Sequence, residues 1–159
     1  MSATELTINE LGAQGDGVAS HDGQPVFVPF TAPGDRITAA VEGSRGTLIS
    51  LLAPGETRAV PPCPHFGPDG ENARCGGCSV QHIDLDVYAE WKRGLVVAAL
   101  KSRGIEIDVA PLVPAKPGDR RRVVFAAKRA GDGAILGFNR AGTHEIVDIE
   151  TCAIATPRI

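Results

Sequence analysis

Apolar residues in the first fifty positions recur mostly at every second place, the period of a half-buried strand. From Thr4 to Leu11, Leu6 and Ile8 fall on one face, Thr7 and Asn9 on the other. Gly17 to His21 and Gln24 to Phe30 predict a hairpin turning at Asp22-Gly23, with Val26, Val28 and Phe30 sharing a face. Pro33-Gly34-Asp35 predicts a further turn into a strand carrying Ile37, Ala39 and Val41, and Arg45 to Leu52 supplies a fifth strand. Five short strands with glycine corners predict a closed OB-like barrel over residues 1–53, since closure removes exposed edges.

The period then changes. Pro54, Pro61, Pro62 and Pro64 stiffen the chain, and residues 54–62 read as a linker. Val87, Trp91, Leu95 and Ala98 recur at spacings of three and four, which predicts one amphipathic helix. Asp84 or Asp86 can cap it, and Gly104 stops it. Trp91 on that stripe is expected in the core. Three β-like runs follow, Arg122 to Lys128, Ala134 to Asn139 and His144 to Ile149, separated by Gly-bearing turns. They predict an antiparallel meander, with Cys152 just beyond its last strand. The expected fold is mainly β with one main helix, residues 63–159 forming the second part.

The glycines at Gly12, Gly15 and Gly17 do not make a phosphate loop, because no helical period follows them. Gly131-Asp132-Gly133 is likewise a hairpin turn.

The chain has 159 residues, a net charge of −3 and only 4% aromatic residues. That charge excludes a uniformly basic nucleic-acid binder, but it is unevenly placed. Residues 1–60 set Arg36, Arg45 and Arg58 against seven acids. Between Lys116 and Arg129, six basic residues (Lys116, Arg120, Arg121, Arg122, Lys128 and Arg129) face Asp119 alone. Such a stripe is either a phosphate contact or the solvated face of a strand, and composition does not separate the two. The Met1-Ser2-Ala3-Thr4-Glu5 start carries no secretory pattern, and no apolar run is long enough to span a bilayer. A cytoplasmic monomer is expected.

Cysteine carries the chemistry. Cys63, then Cys75-Gly76-Gly77-Cys78, then Cys152 are the four cysteines of the chain. Two cysteines separated by two residues can turn both sulfurs toward one centre. The two glycines are expected to allow positive φ and a close approach of the backbone. In a reducing compartment such a set is a ligand set rather than two disulfides. A thioredoxin-like pair would follow a strand and open a helix, whereas this pair sits in a Pro/Gly loop. Four thiolates serve zinc and iron–sulfur equally, and His65 or His82 could replace Cys152 in a zinc site. Either histidine could equally be loop polarity or a hydrogen-bond partner of a sulfur.

Several stretches together resemble one family. Gly15-Asp16-Gly17-Val18-Ala19 and Val26-Phe27-Val28-Pro29-Phe30-Thr31-Ala32-Pro33-Gly34-Asp35 are similar to the TRAM domain, an OB-like RNA-binding barrel. Cys63-Pro64-His65-Phe66-Gly67, Cys75-Gly76-Gly77-Cys78, Gln81-His82, Tyr88 and Trp91-Lys92 resemble the cluster loop and helix of bacterial RNA (uracil-5-)-methyltransferases of the ribosomal-RNA branch. Arg120-Arg121-Arg122, Leu136-Gly137-Phe138, Ile146-Val147-Asp148-Ile149 and Cys152 extend the likeness along the chain. One departure is a longer gap between the first two cysteines, where Pro68 to Arg74 are expected to bulge.

The resemblance implies that Cys63, Cys75, Cys78 and Cys152 hold a 4Fe-4S cluster. It implies that RNA, ribosomal or transfer, is the partner, with Arg120, Arg121, Arg122 and Lys128 as expected contacts. In the parent enzyme it implies S-adenosylmethionine as methyl donor. A cysteine adds to C6 of a uracil taken out of its stack, C5 takes the methyl group, and a base then removes the C5 proton. No residue here matches the donor site, the nucleophile or that base, so the chain alone is expected to be inactive. Other classes left open are an RNA-binding module with structural zinc and an electron-transfer protein.

Overall fold

The computed structural model describes residues 3–69 and 75–159. Its chain divides into two compact units, residues 1–60 with 82–114, and residues 61–81 with 115–159. The chain therefore enters the second unit at Pro61, returns at His82 and leaves again at Ala115.

In the first unit six strands form one curled sheet: β1 (Ala3–Thr7), β2 (Glu10–Leu11), β3 (Gly17–His21), β4 (Gln24–Val28), β5 (Arg36–Glu42) and β6 (Arg45–Ala53). The order across the sheet is β1-β5-β6-β4-β3-β2. This is the mainly β, OB-like class expected, with one strand more. The run from Thr4 to Leu11 breaks into β1 and β2, because the amide of Ile8 donates to the Asp35 carbonyl (2.9 Å) and that of Asn9 to the Val18 carbonyl (2.8 Å). The chain thus changes partner strand in mid-run. Leu6, Ile8, Ala19, Val26, Val28, Ile37 and Ala39 form the core, as the alternation predicts. Phe30 leaves it: at φ 64° it has turned out of the strand and is only half-buried.

Residues 55–59 are zipped to 82–84 in the same unit. Ala59 donates to the His82 carbonyl (2.9 Å), Asp84 to the Thr57 carbonyl (2.9 Å), and Arg58 bridges Ile83. This places helix α1 (Leu85–Lys101) in the first unit. Asp84 caps it, its carboxylate accepting from the Asp86 and Val87 amides. Gly104, at φ 71°, reverses the chain after the last turn. No residue of α1 is fully buried. Trp91 is half-buried and its indole N–H donates to the Gly12 carbonyl (3.2 Å), so it packs rather than stacks in the open.

The second unit holds the antiparallel meander β7 (Ala126–Ala130), β8 (Gly133–Asn139) and β9 (Ile146–Asp148). β7 starts four residues later than the sequence predicts, since residues 122–125 find no partner strand. β9 is shorter because Arg140 donates to the Glu145 carbonyl and folds residues 140–145 into a turn. The expected bulge at Pro68 to Arg74 lies mostly outside the described residues. No helix among the described residues is long and apolar enough to cross a membrane.

Candidate metal centre

The cysteine loop is held against the meander by its backbone. The Cys75 amide donates to the His65 carbonyl (3.0 Å), and the Gly76 amide donates to the Asn139 carbonyl at the end of β8 (2.9 Å). Cys75 and Arg140 pair as an isolated bridge. The glycines serve this contact. A Cβ on Gly76 would lie 2.6 Å from the Asn139 carbonyl oxygen, and one on Gly77 would lie 3.1 Å from the Phe138 ring. Neither glycine has positive φ, contrary to expectation; what each needs is the absence of a side chain.

That docking brings the four sulfurs together. Cys63, Cys75, Cys78 and Cys152 all line one tight cavity of about 20 Å³, with His65, Phe66, Gly77, Gln81, Phe138, Ile149, Thr151, Ala153 and Ile154 completing its wall. All four are free and only partly exposed. Residues 151–155 come back beside the loop because Arg120 pairs with Ala155 and the Gly118 amide donates to the Ala153 carbonyl (3.1 Å). Among the described residues, no three His, Cys, Asp or Glu side chains form a site for a single metal ion.

Burial pushes the Cys75 thiol up, and the nearby Cys63 and Cys152 push it further, against a hydrogen bond from the Gly77 amide. Burial also raises the Cys78 thiol, together with the other three cysteines and against a hydrogen bond from the Gln81 side chain. Two half-buried thiols, Cys75 and Cys78, whose ionisation is disfavoured by burial and by their neighbours are matched to positive charge, which deprotonates a coordinating thiol. The Gly77 and Gln81 donors are of the kind that tunes a bound thiolate. Gln81 enters the sequence reading only as part of the family resemblance, without a role at the sulfurs; its place three residues after Cys78 was the available signal.

The two histidines take different roles. His65 is buried and lines the cavity, its Nε2 accepting the Glu150 amide (3.4 Å). His82 lies in the first unit, 1% exposed, with Nε2 donating to the Thr31 carbonyl (3.0 Å), and is not among the cavity residues. Burial lowers its pKa, with the hydrogen bond to Thr31 opposing, so the ring is held neutral.

Arg120, Arg121, Arg122 and Lys128 are all exposed on the second unit, and among the described residues none has a carboxylate within 4.0 Å. The backbone of Arg120 is fixed by Ile154 and Thr156, and that of Lys128 by its pairing with Ile135 in the meander. These side chains are available to an anionic partner.

Residues 2–47 match the TRAM domain family. The chain is 49% identical to an "Uncharacterized RNA methyltransferase" of Rhizobium meliloti, over 159 residues that make 100% of this chain and 38% of that protein. With a protein of the same description from Agrobacterium fabrum it shares 46% identity, with the same coverage. It is also 34% identical to the 23S rRNA (uracil(1939)-C(5))-methyltransferase of Halomonas elongata, over 98% of this chain and 33% of that one. The chain thus spans between 33% and 38% of the length of these relatives.

Proposed function

We propose, for this TRAM-bearing homologue of RNA methyltransferases, the role of the RNA-binding and cluster-carrying portion of an enzyme that methylates C5 of uridine in RNA, ribosomal RNA in the first place. The observation that carries the reading is the convergence of all four cysteines on one cavity between loop and meander. A cysteine set of this kind suits a 4Fe-4S cluster, held by Cys63, Cys75, Cys78 and Cys152. A cluster spreads its thiolates over several metal atoms, whereas one zinc ion draws all four to a single point. The cavity is small for a four-iron centre, so seating one moves the thiol side chains apart. When bound, the cluster supplies positive charge and a cross-link between the loop, its glycine-docked neighbour β8 and the segment carrying Cys152.

The remaining residues bind RNA. The curled sheet is the scaffold on which OB-like domains carry single strands, and the unpaired Arg120, Arg121, Arg122 and Lys128 offer phosphate contacts on the second unit. With its four cysteines committed to the cluster, this chain has no thiol left to attack C6. The methyl donor S-adenosylmethionine and the catalytic groups belong to the longer enzyme. The setting is the cytoplasm, where thiols stay reduced.

The test is anaerobic purification followed by iron and sulfide analysis and a visible spectrum. Four irons per chain with a charge-transfer band support the proposal, and Cys152→Ser lowers the iron content. Colourless, iron-free protein, or iron retained unchanged by C152S, refutes the cluster assignment. Incubation with labelled S-adenosylmethionine and an rRNA fragment transfers no methyl group; stoichiometric transfer refutes the division of labour.

A further inference from the structure

Beside the cysteine cavity lies a second, open cleft of about 330 Å³ lined by Gly76, Val124, Phe125, Ala126, Phe138 and Asn139. Its volume sits at the lower end of small-ligand sites, about 300–1,000 Å³. Two aromatic rings form its hydrophobic wall: Phe125 and Phe138 meet edge to face, with centroids 5.0 Å apart and planes at 69°. Val124 at its rim is 84% exposed, and the exposed Asn139 side chain has no hydrogen-bond partner among the described residues. The Asn139 main chain, by contrast, is fixed by the Gly76 amide. Arg120, Arg121 and Arg122 precede Val124 with Val123 between, and Lys128 and Arg129 follow Ala126 after Ala127, so the cleft is flanked by cations in the chain on both sides.

We propose that this cleft is a nucleobase subsite that seats one unpaired base of the bound RNA, a deepening that rests on the RNA-binding reading above. The chemistry matches part by part. A flat π-face finds an aromatic and aliphatic wall, the usual platform for splayed-out bases. Asn139 offers one acceptor and two donors on a rigid backbone, a complement for the edge of a base. The flanking arginines reach the phosphates on either side of it, at a span of roughly 14 Å from Arg120 to Val124 at most. An apolar peptide side chain would use the wall but neither the amide nor the cations.

Phe138 connects this subsite to the proposed cluster. Its ring walls both the cleft and the cysteine cavity, and it lies against Gly77. The subsite is therefore as rigid as the loop docking that builds it, because Gly76 also belongs to its lining.

The experiment uses the whole chain and a single-stranded oligoribonucleotide of about 12 nucleotides, inside the OB-fold range of roughly 4–16, carrying 4-thiouridine at successive positions. Irradiation followed by peptide mapping is expected to cross-link one nucleotide position to residues 124–126 or 138–139. Replacing the base at that position by an abasic site, or Phe125→Ala, weakens binding about tenfold, within the range for one stacked base. Phe125→Trp restores it, and the salt slope stays unchanged in both variants. V124D, at an exposed position that the fold does not need, gives a second readout and also weakens binding. If the RNA binds with a normal salt slope but cross-links only elsewhere, and V124D and the abasic strand bind as tightly as the parents, the subsite is refuted while RNA binding stands. If no salt-dependent binding is seen at all, the functional reading fails and takes this inference with it.

Discussion

Removing Arg58 tests how the first unit is locked. Asp35 is fully buried, and its carboxylate accepts from Arg58 Nη2 (2.6 Å) and Nε (3.0 and 3.1 Å), from the Ala32 amide (2.7 Å) and from the Gly55 amide (2.9 Å). Arg58 also donates to the carbonyl of Phe30 (2.8 Å), the residue at φ 64°. Burial pushes the Asp35 carboxyl up, but the Arg58 guanidinium and the two amides outweigh it and hold the pKa below its ordinary 3.8. Arg58→Ala leaves a buried carboxylate with two amide donors only. Breaking a buried pair this way costs about 3–5 kcal/mol. The Arg58 side chain keeps 19% exposure, which lets water reach the gap and puts the cost near the low end, about 3 kcal/mol. With a urea m-value of about 1–3 kcal/mol/M, the midpoint falls by roughly 1–3 M. Trp91, the sole tryptophan and a member of this unit, reports the transition by fluorescence.

The pH dependence gives the same experiment a sign. In the parent, Asp35 has a depressed pKa, so its contribution is present above the unfolded value of 3.8 and is lost as pH falls through the folded value. Without Arg58, burial dominates and the folded pKa rises above the unfolded one. The variant then gains from protonation, and its deficit narrows between pH 7 and pH 4. A midpoint at pH 7 indistinguishable from the parent's would refute the lock. So would a deficit that stays constant over that pH range.

Three further outcomes are expected. Gly76→Ala places a Cβ against the Asn139 carbonyl and costs about 1–3 kcal/mol of loop docking, read as faster iron loss to a chelator; Gly77→Ala meets only the Phe138 ring, which can yield, and does less. His82 has a lowered pKa, so its contribution is complete above the unfolded value of 6.5 and is lost as pH falls; His82→Gln flattens the urea midpoint between pH 7 and pH 5, and an unaltered slope assigns it to another group. Replacing Arg120, Arg121 and Arg122 together by alanine lowers the slope of log K against log salt by about 2 for single-stranded RNA, at about 0.7 for each phosphate no longer neutralised. A slope equal to the parent's marks the stripe as solvated surface.

How much of this was legible depended on distance along the chain. The core of the curled sheet was, because Leu6, Ile8, Val26, Val28, Ile37 and Ala39 obey a period of two that any strand imposes. The helix was also legible, from its spacing and from Asp84 at its cap. The break between β1 and β2 was not, since it is made by carbonyls of Asp35 and Val18, which leave no mark on residues 8 and 9. Nor was the Asp35–Arg58 lock, whose partners stand 23 residues apart, Asp35 in a turn and Arg58 in a stretch that reads only as a stiff linker.

The same rule separates the two cavities of the second unit. Metal-binding chemistry restricts residue type so severely that four cysteines announce one another across the sequence, even from Cys63 to Cys152. The neighbouring cleft is built from phenylalanine, valine, alanine and asparagine, each with an ordinary alternative employment in a strand. Only the fold shows that β8 gives Phe138 to both walls, and that Gly76 must lack a side chain for Asn139 to stand where it does. The CGGC motif is thus informative twice. Its cysteines mark the proposed ligands, while its glycines specify the strand they lean on, and that second message stays unread until the strand's partner is known.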